Sequence, residues 1–521
     1  MIIDATNVPQ DREIKGDLCI VGAGAAGIVI AREFAGSTFQ VIVLESGGLE
    51  YSPETQALNE GVVAGHPYHA LVSTRLRYFG GSTNHWAGAC RPLDAIDFEQ
   101  REWVPHSGWP MTRADLDPYY VRAQEVCGLG PFRYDADAWR LPGSAPLTFE
   151  GPDVVTTLFQ FSAKRRFGEV YRKELEQARN VSVYVNATVQ ELETDDPPTR
   201  ISHVRIRTPS GAGLRVSARH VVLATGGLEN PRILLLSNRV RKQGLCNEHD
   251  LVGRFFMEHP HVYSGIYLPV ENKPSLDFYR QQRIGGTEVQ AALTIGPDVM
   301  RRERLVGFSV TLSPTELPGE ESLEYLKKSI AEGTRPKNIL WHLRRILEDS
   351  GDLALDAYRS MTGKENPRTG TYSLHVRSEQ VPNPESRVVL DDSRDAFGQP
   401  RVKLIWRLSP IDKRSMRRSQ EILAQALGKA ALGRLKIELD GRDDSWPSTL
   451  GGGSHHMGTT RMHADPRKGV VDPNGRVHGV ANLSVAGSSV FPTAGFSNPT
   501  LTIVALSLRL ADHLKSVLKG A

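Results

Sequence analysis

The first part of the chain alternates short apolar runs with a stretch of helical periodicity. Asp17 to Val21 and Gln40 to Leu44 are the short runs, and Ala25 to Phe34 between them has the apolar spacing of a helix. A glycine-rich turn joins the first run to the helix. Strand, turn, helix and strand in this order begin a doubly wound α/β unit. We therefore predict an α/β domain at this end of the chain.

Strand-like segments dominate the later pattern. Strands are predicted at Val262 to Pro269, Val289 to Ile295, Leu305 to Leu312, Thr371 to Val376 and Val402 to Leu408. Helices are predicted at Ser322 to Ile330, Asn338 to Arg359 and Ile411 to Leu427. Before this region, strands are expected at Val181 to Val189, Ile201 to Arg207 and His220 to Ala224, and helices at Asp115 to Leu129 and Asn230 to Ser237. The change of pattern predicts a sheet-based α+β domain inserted into the α/β domain.

Composition excludes some classes of protein. Of the 521 residues, 40% are hydrophobic and 24% are charged, which excludes wholesale disorder. The formal net charge is +3, and the chain has no long block of like charges. This balance argues against a dedicated nucleic-acid binder.

The chain also lacks several signals of membrane, secretory and metal-binding proteins. Residues 1–10 contain no basic cluster followed by an apolar stretch, and no run reaches the roughly 18 apolar residues of a membrane span. The four cysteines are scattered without metal-ligand spacing. We therefore expect a cytoplasmic protein with no membrane contact and no bound metal.

A glycine motif follows the first predicted strand. Gly22-Ala23-Gly24-Ala25-Ala26-Gly27 has the form G-x-G-x-x-G at the start of a helix, which suits a tight turn and close approach of a pyrophosphate. Glu45 stands 23 residues after Gly22, at the end of the next strand, where a carboxylate can accept hydrogen bonds from a ribose. An ordinary structural turn is the simpler interpretation of the glycines alone. Together with Glu45 they predict a dinucleotide site.

Two further segments favour FAD over NAD. Residues 224–232, with the sequence ATGGLENPR, follow a predicted buried strand and give a second close backbone approach, as a large extended cofactor requires. A long aperiodic region from Leu71 to Phe98 contains Gly80-Gly81-Ser82-Thr83-Asn84-His85-Trp86, and long ordered loops are usually functional. Each segment also has a purely structural interpretation.

The C-terminal part carries candidate chemistry. His455-His456-Met457-Gly458-Thr459-Thr460-Arg461-Met462 follows a glycine run, and Val485-Ala486-Gly487-Ser488 follows later. Asn498-Pro499-Thr500 then opens an apolar-periodic helix, since asparagine followed by proline is a helix-start signal. Such a helix directs free N–H groups and positive potential at whatever precedes it.

Together these segments resemble the glucose-methanol-choline (GMC) family of FAD-dependent oxidoreductases. Within the family the chain is most similar to the pyranose-oxidase-like branch, which includes bacterial sugar and C-glycoside 3-oxidases. The similarity also covers Glu379-Gln380-Val381-Pro382-Asn383-Pro384 and Ser386-Arg387-Val388. It implies an FAD-binding Rossmann-like domain built from residues 1–99, 181–261 and 446–521. Residues 100–180 would form a connecting or cap segment, and residues 262–445 a substrate-binding domain.

The resemblance also implies roles for single residues. His455 matches the catalytic histidine and Asn498 its partner, while His456 is one residue out of register. The implied cofactor-binding residues are Gly22, Gly24, Ala25, Ala26, Gly27, Glu45, Gly81, Ser82, Asn84, His85, Ala87, Val189, Ala224, Gly487, Ser488, Pro499 and Thr500. His85 falls where pyranose oxidases attach the flavin, a bond that many family members lack. Ala87 replaces a threonine of fungal pyranose oxidases, which puts oxygen reactivity in doubt.

The resulting hypothesis is oxidation of a secondary hydroxyl of a pyranose sugar or glycoside, at C2 or C3. A histidine would take the O–H proton, the hydride would pass to flavin N5, and O₂ or a quinone would receive the electrons. Another GMC-type alcohol dehydrogenase, a flavin-containing lyase and a binding protein without catalysis are the alternatives. The oligomeric state stays open, with a homo-oligomer among the options.

Overall fold

The computed structural model describes residues 1–141, 144–270, 276–314, 323, 325–327, 339–348, 371–441 and 445–520. Its α-helices are Ala25–Phe34, Pro53–Gln56, Ala95–Phe98, Arg113–Val126, Phe167–Val170, Arg172–Gln177, Gly226–Leu236, Pro297–Glu303, Ile339–Glu348, Pro410–Lys429 and Thr500–Gly520. Short 3₁₀ helices lie at Ala5–Asn7, Ala57–Asn59, Leu71–Ser73, Gly81–Asn84, Ala136–Trp139, Asp277–Tyr279 and Ser488–Val490. None of the helices within the described ranges combines the length and apolar character needed to cross a membrane.

The first sheet has eight strands and a parallel centre. Its strands are β1 (Ile2–Asp4), β2 (Glu13–Val21), β3 (Val41–Leu44), β7 (Val181–Val185), β8 (Thr188–Thr194), β9 (Ile201–Arg207), β10 (Gly213–Leu223) and β20 (Leu483–Val485). The order is β1-β7-β3-β2-β10-β9-β8, and β20 pairs with the end of β10. The strands β1, β7, β3, β2 and β10 pair in parallel. The predicted Rossmann-like α/β fold is confirmed.

The second sheet is antiparallel and has nine strands. They are β5 (Ala89–Cys90), β6 (Val154–Phe161), β11 (Pro260–Pro269), β12 (Gln282–Ile284), β13 (Thr287–Ile295), β14 (Phe308–Pro314), β15 (Tyr372–Ser378), β18 (Gly433–Ile437) and β19 (Gly451–Gly452). A third sheet orders β16 (Arg387–Arg394), β17 (Pro400–Trp406) and β4 (Gly61–Gly65). Each of the two larger sheets has its own hydrophobic core.

The second sheet draws on more of the chain than the predicted substrate domain. Strand β6 lies within residues 100–180, which were expected only to connect or cap, and it pairs with β13 along eight residues. Strand β19 lies after residue 446 and pairs with β11. The exact domain boundaries therefore remain a prediction. Of the helices predicted at Ser322 to Ile330 and Asn338 to Arg359, the structure describes mainly Ile339–Glu348, and the rest lies outside the described residues.

Candidate active site

A cavity of about 640 Å³ lies where the parallel strands of the first sheet end. Strands β2, β3 and β10 end at Val21, Leu44 and Leu223, and the next residues turn into the cavity wall. The carboxyl ends of parallel strands are the usual ligand site of open α/β sheets. The loops around residues 75, 85, 455, 487 and 498 also line the cavity, although they come from distant parts of the chain.

The glycine turn has the geometry of a phosphate-binding turn. Gly22 has φ +101°, in the left-handed region that favours glycine. A Cβ on Gly27 would lie 1.9 Å from the carbonyl oxygen of Gly22, whereas a Cβ on Gly24 would meet no atom within 4 Å. Helix Ala25–Phe34 starts without a side-chain cap, so its first N–H groups are available to an anion. Gly24 thus leaves an open cradle beside a helix start.

Glu45 stabilises the glycine turn and also lines the cavity. Its two carboxylate oxygens accept hydrogen bonds from the backbone N–H groups of Ala23 and Gly47, both at 2.9 Å. Burial raises the pKa of this carboxyl, while these hydrogen bonds act in the opposite direction. Each oxygen can accept a second hydrogen bond, so the predicted ribose contact is compatible with the structure. A Glu45 variant would therefore disturb the turn as well.

Two arginines that the sequence interpretation missed also line the cavity. The side chains of Arg75 and Arg77 form ion pairs with the buried carboxylate of Glu229, at 3.4 and 3.1 Å. Arg77 also donates to Ser46 Oγ at 3.1 Å. Arg75 Nη1 is buried without a hydrogen-bond partner in the described structure. A guanidinium nitrogen without a hydrogen-bond partner, on a residue of the cavity wall, suits an anionic cofactor.

Most of the predicted residues meet in this one cavity. They are Gly22, Gly24, Ala25, Ala26, Glu45, Gly81, Ser82, His85, Ala87, Val189, Ala224, His455, Gly487, Ser488, Asn498, Pro499 and Thr500. Gly27 and Asn84 do not line it. Gly27 packs behind the turn against Gly22, and Asn84 donates to the carbonyl oxygen of Phe79 and so shapes its own loop.

The wall of the cavity fits FAD. The Gly24 cradle suits the pyrophosphate, Glu45 suits the ribose, and Arg75 Nη1 offers an unused donor. His85 faces the cavity, and its Nε2 lies 3.0 Å from the hydroxyl of Tyr78. A covalent bond through His85 stays a prediction. No group of three or more His, Cys, Asp or Glu side chains in the described ranges is arranged to hold a metal ion.

Alanine substitutions at two glycines of the turn are expected to separate folding from FAD binding. Gly27→Ala should lower the free energy of unfolding by about 1–3 kcal/mol, because the methyl group collides with backbone. Gly24→Ala should change it by less than about 0.5 kcal/mol but weaken FAD binding, because its methyl group enters the cradle. Urea unfolding of the apoproteins and FAD titration measure the two effects. Unchanged FAD affinity in Gly24→Ala would contradict the placement of the pyrophosphate.

His455 lies in the cavity wall at the centre of a hydrogen-bond network. The glycines before it make room, since a Cβ on Gly453 would lie 2.8 Å from His455 Nδ1 and 2.9 Å from His261 Nε2. The backbone N–H of His455 donates to Glu258 Oε1 and Oε2 at 2.9 and 3.0 Å. Its ring Nδ1 lies 2.8 Å from Nδ1 of His259, and its Nε2 lies 3.4 Å from Nδ2 of Asn498.

The hydrogen bonds determine the tautomers of both histidine rings. His259 Nε2 lies 3.4 Å from the carbonyl oxygen of Ala494, which can only accept, so this nitrogen carries the hydrogen. In a neutral ring the other nitrogen is then an acceptor. His455 must therefore donate from Nδ1 to His259 Nδ1. The lone pair of His455 Nε2 accepts a long hydrogen bond of 3.4 Å from Asn498 Nδ2, which a substrate hydroxyl can replace.

Asn498 and Arg377 complete this side of the cavity. Arg377 Nη1 donates to Asn498 Oδ1 at 2.9 Å, which turns the amide Nδ2 of Asn498 toward His455. The expectation that Asn498 caps the following helix is not met, since its side chain forms hydrogen bonds with these two residues and the helix begins at Thr500. No carboxylate of the described residues lies within 4 Å of the Arg377 guanidinium, whose Nε instead donates to His261 Nε2 at 3.2 Å.

His456 has a different environment from His455. Its Nε2 lies 3.0 Å from the hydroxyl of Tyr68, and this hydroxyl donates to Glu258. His456 must therefore be the donor in its contact with Tyr68, which leaves no lone pair on Nε2. Both histidines contribute to the cavity wall, but His455 is the one whose Nε2 keeps a lone pair that can accept a proton, beside the amide of Asn498. The geometry favours His455 as the base.

Burial keeps the rings neutral. It lowers the pKa of His455 well below its ordinary value, and His259 and Arg377 lower it further. Burial and then Arg377 lower the pKa of His259 to about 4. Burial also raises the pKa of Glu258 to about 7, against the hydrogen bonds that it accepts. The site thus holds a neutral base next to an unpaired arginine.

The sequence interpretation missed the residues behind His455. Glu258, His259 and His261 fall just before or at the start of a predicted strand, and Arg377 directly follows another. One sequence feature could have drawn attention to them, namely three titratable residues within four positions in Glu258-His259-Pro260-His261. Without knowledge of the pairing between β11 and β19, nothing connected this run to His455.

Comparisons with known proteins agree with this geometry. Residues 17–331 match the family model of FAD dependent oxidoreductases, and residues 382–507 match that of GMC oxidoreductases. Formate oxidase from Aspergillus oryzae has a similar fold, with a TM-score of 0.56 and 19% identity over 98% of this chain and 100% of that chain.

Relatives of known name match this chain, two of them over nearly its whole length. The fructose dehydrogenase large subunit of Gluconobacter japonicus is 24% identical over 98% of this chain and 99% of its own. Paromamine 6′-oxidase of Streptomyces fradiae is 35% identical over 96% of this chain and 92% of its own. C-glycoside 3-oxidase of Microbacterium trichothecenolyticum is 40% identical over 25% and 24% of the two chains. These matches show that the chain belongs to the GMC family of FAD-dependent oxidoreductases and is an enzyme acting on CH–OH groups.

Proposed function

We propose that the protein oxidises a secondary hydroxyl of a pyranose sugar or glycoside, at C2 or C3, to the ketone. The observation that carries the proposal is the unprotonated Nε2 of His455 beside the amide of Asn498, both at the cavity that fits FAD. The choice of sugar is supported by the relatives, which are named for fructose, paromamine and a C-glycoside. The choice of C3 as the oxidised ring carbon is supported by the relative named C-glycoside 3-oxidase.

The arrangement of the site residues provides an acceptor for the proton of the substrate hydroxyl. When bound, FAD supplies the acceptor for the hydride. A substrate hydroxyl placed between His455 and Asn498 donates to Nε2 of the first and accepts from Nδ2 of the second. His455 then takes the proton as general base. The unpaired charge of Arg377 favours the negative charge that develops on the substrate oxygen.

Anaerobic mixing with a panel of monosaccharides and glycosides tests the proposal, with loss of flavin absorbance as the readout. Reduction by sugars supports it, and reduction only by simple alcohols would support another GMC-type alcohol dehydrogenase. Product analysis decides the carbon, since a secondary hydroxyl gives a ketone. An aldehyde would point to a primary hydroxyl, as the name of paromamine 6′-oxidase suggests for that relative. Product formation without flavin bleaching would favour a lyase.

Ala87 leads to a prediction about the electron acceptor. It lines the cavity and has no hydroxyl, unlike the threonine of fungal pyranose oxidases. We expect the reduced enzyme to be reoxidised faster by benzoquinone than by O₂ at equal concentration. Stopped-flow reoxidation measures both rates, and a faster reaction with O₂ would refute the expectation. Ala87→Thr is the matched variant, which should raise the rate with O₂.

The lowered pKa of His455 leads to a prediction about pH. A base with a lowered pKa stays unprotonated as the pH falls, so the flavin reduction rate should change less than about twofold between pH 7.5 and 6. A histidine at its ordinary pKa of about 6.5 would lose most of its base form over this range. Stopped-flow reduction at several pH values tests this. Burial raises the pKa of Glu258 to about 7, within this pH range, and Glu258 holds the backbone of His455, so Glu258→Gln is the control. A midpoint near 6.5 in both proteins would contradict the prediction.

A further inference from the structure

A row of side chains leads from the active site along one face of the second sheet. In the antiparallel pair β11 and β15, His261 lies opposite Arg377, and Tyr263 lies opposite His375. Residues two apart on a strand point to the same face, so all four side chains share one face. His261 and Arg377 line the active-site cavity. Tyr263 and His375 are the next pair outward.

The rings in this row are in contact from the base to the surface. The His455 and His261 ring centroids are 6.3 Å apart, and those of His261 and His375 are 5.1 Å apart, both edge to face. The His375 and Tyr263 rings are stacked, with centroids 4.7 Å apart and an interplanar angle of 15°. The row therefore connects the catalytic centre to Tyr263 without a gap between neighbouring rings.

Tyr263 lies at the exposed end of this row. Its side chain is 53% exposed, although it belongs to a paired strand and its backbone carbonyl accepts a hydrogen bond from Thr449 Oγ1 at 3.0 Å. A stacked aromatic pair held on a sheet offers a flat apolar surface with little conformational freedom left to lose on binding. Burial, and then the charge of Arg377, lower the pKa of His375 to about 4, so the stacked pair itself is uncharged.

We propose that Tyr263 and His375 form a second subsite, which binds the aglycone ring of a glycoside whose sugar lies at His455. The inference rests on the proposed function and extends it by naming the substrate class, a glycoside with a ring-bearing aglycone. We infer this occupant because His261 lines the cavity and also contacts His375. A substrate whose sugar lies in the cavity and whose aglycone extends along this face of the sheet would therefore reach Tyr263. A neutral aromatic surface suits a ring by stacking.

The test compares a methyl and a phenyl glycoside of the same sugar and anomer. Calorimetry gives Kd for the oxidised enzyme, and anaerobic flavin reduction gives the rate. The wild type should bind the phenyl glycoside more tightly. Tyr263→Ala should weaken binding of the phenyl glycoside about 3- to 10-fold, leave the methyl glycoside within about twofold, and leave the limiting reduction rate unchanged. Tyr263→Phe should keep the wild-type preference, because the stack is retained.

Leu268→Ala is the matched control, since Leu268 is 44% exposed on the same strand and should affect neither ligand. Equal losses for both glycosides in Tyr263→Ala, or none, would overturn the subsite. A change of oligomeric state in Tyr263→Ala with an unchanged phenyl preference would assign the surface to a second copy instead, and so also overturn it. Tyr263-dependent binding without flavin reduction would support the subsite while refuting the proposed function.

Discussion

Replacing His455 with alanine is expected to slow flavin reduction by about 10²–10⁴-fold while FAD stays bound. The physical reason is that His455 Nε2, beside Asn498 at the cavity wall, carries the lone pair that can take the proton of the substrate hydroxyl. The backbone N–H of His455 donates to Glu258, a hydrogen bond that alanine can also form, so we expect the backbone to stay in place. Rapid mixing under anaerobic conditions with the best sugar of the panel measures the rate, and the flavin spectrum reports occupancy.

Two variants separate this role from its neighbours. Asn498→Ala removes the amide that positions the hydroxyl but keeps the base, so a smaller loss is expected. His456→Ala removes the hydrogen bond to Tyr68, which lies away from Asn498, and should leave the reduction rate within about tenfold. A larger loss of the flavin reduction rate in His456→Ala than in His455→Ala would identify His456, not His455, as the base.

Local periodicity accounts for the parts of the fold that the sequence predicts well. Helix Ala25–Phe34 is observed with the predicted bounds, and β9 covers Ile201–Arg207 as expected. Both have a complete signal within a few residues, namely a glycine turn with helical spacing in the first and regular alternation in the second. The helix predicted from Asn230 starts earlier, at Gly226. Pro231, its sixth residue, has no N–H to donate to the carbonyl oxygen of Gly227, and Thr459 Oγ1 donates to that oxygen instead, at 2.6 Å.

Long-range pairing accounts for what the sequence does not predict. Strand β6 is rich in valine, threonine and phenylalanine, yet its main partner β13 begins at Thr287, far along the chain. Its place in the second sheet cannot be deduced from its own residues. The same holds for the network around His455. His259 becomes its neighbour only because β11 pairs with the glycines of β19.

The candidate site shows the same division. The glycine turn, Glu45 and the His455–Asn498 pair follow motifs whose spacing is short or whose family pattern is specific. Arg377 and His259 follow no such motif, and their importance lies in which atoms they orient. Arg377 turns the amide of Asn498, and His259 determines the tautomer of His455. Sequence patterns predict the reacting groups here, whereas the structure supplies their orientation.

Replacing His259 with phenylalanine is therefore expected to slow flavin reduction by about 10²-fold, although His259 does not face the substrate. The ring Nδ1 of His455 would lose its acceptor, and the tautomer with hydrogen on Nε2 would become populated. That tautomer cannot accept the substrate proton. His259→Asn retains an oxygen that can accept from His455 Nδ1, so it should recover most of the rate.

Comparison of these two variants distinguishes orientation of the base from simple packing, because both replace the same fully buried side chain. Phenylalanine fills the volume without an acceptor, while asparagine supplies an acceptor with less volume. If orientation matters, the asparagine variant is the faster one, and KM for the sugar changes less than the limiting rate in both. The melting temperature and flavin spectrum of each holoprotein check that the fold and cofactor are retained. A phenylalanine variant that reduces its flavin at the wild-type rate would show that His455 keeps its productive tautomer without His259.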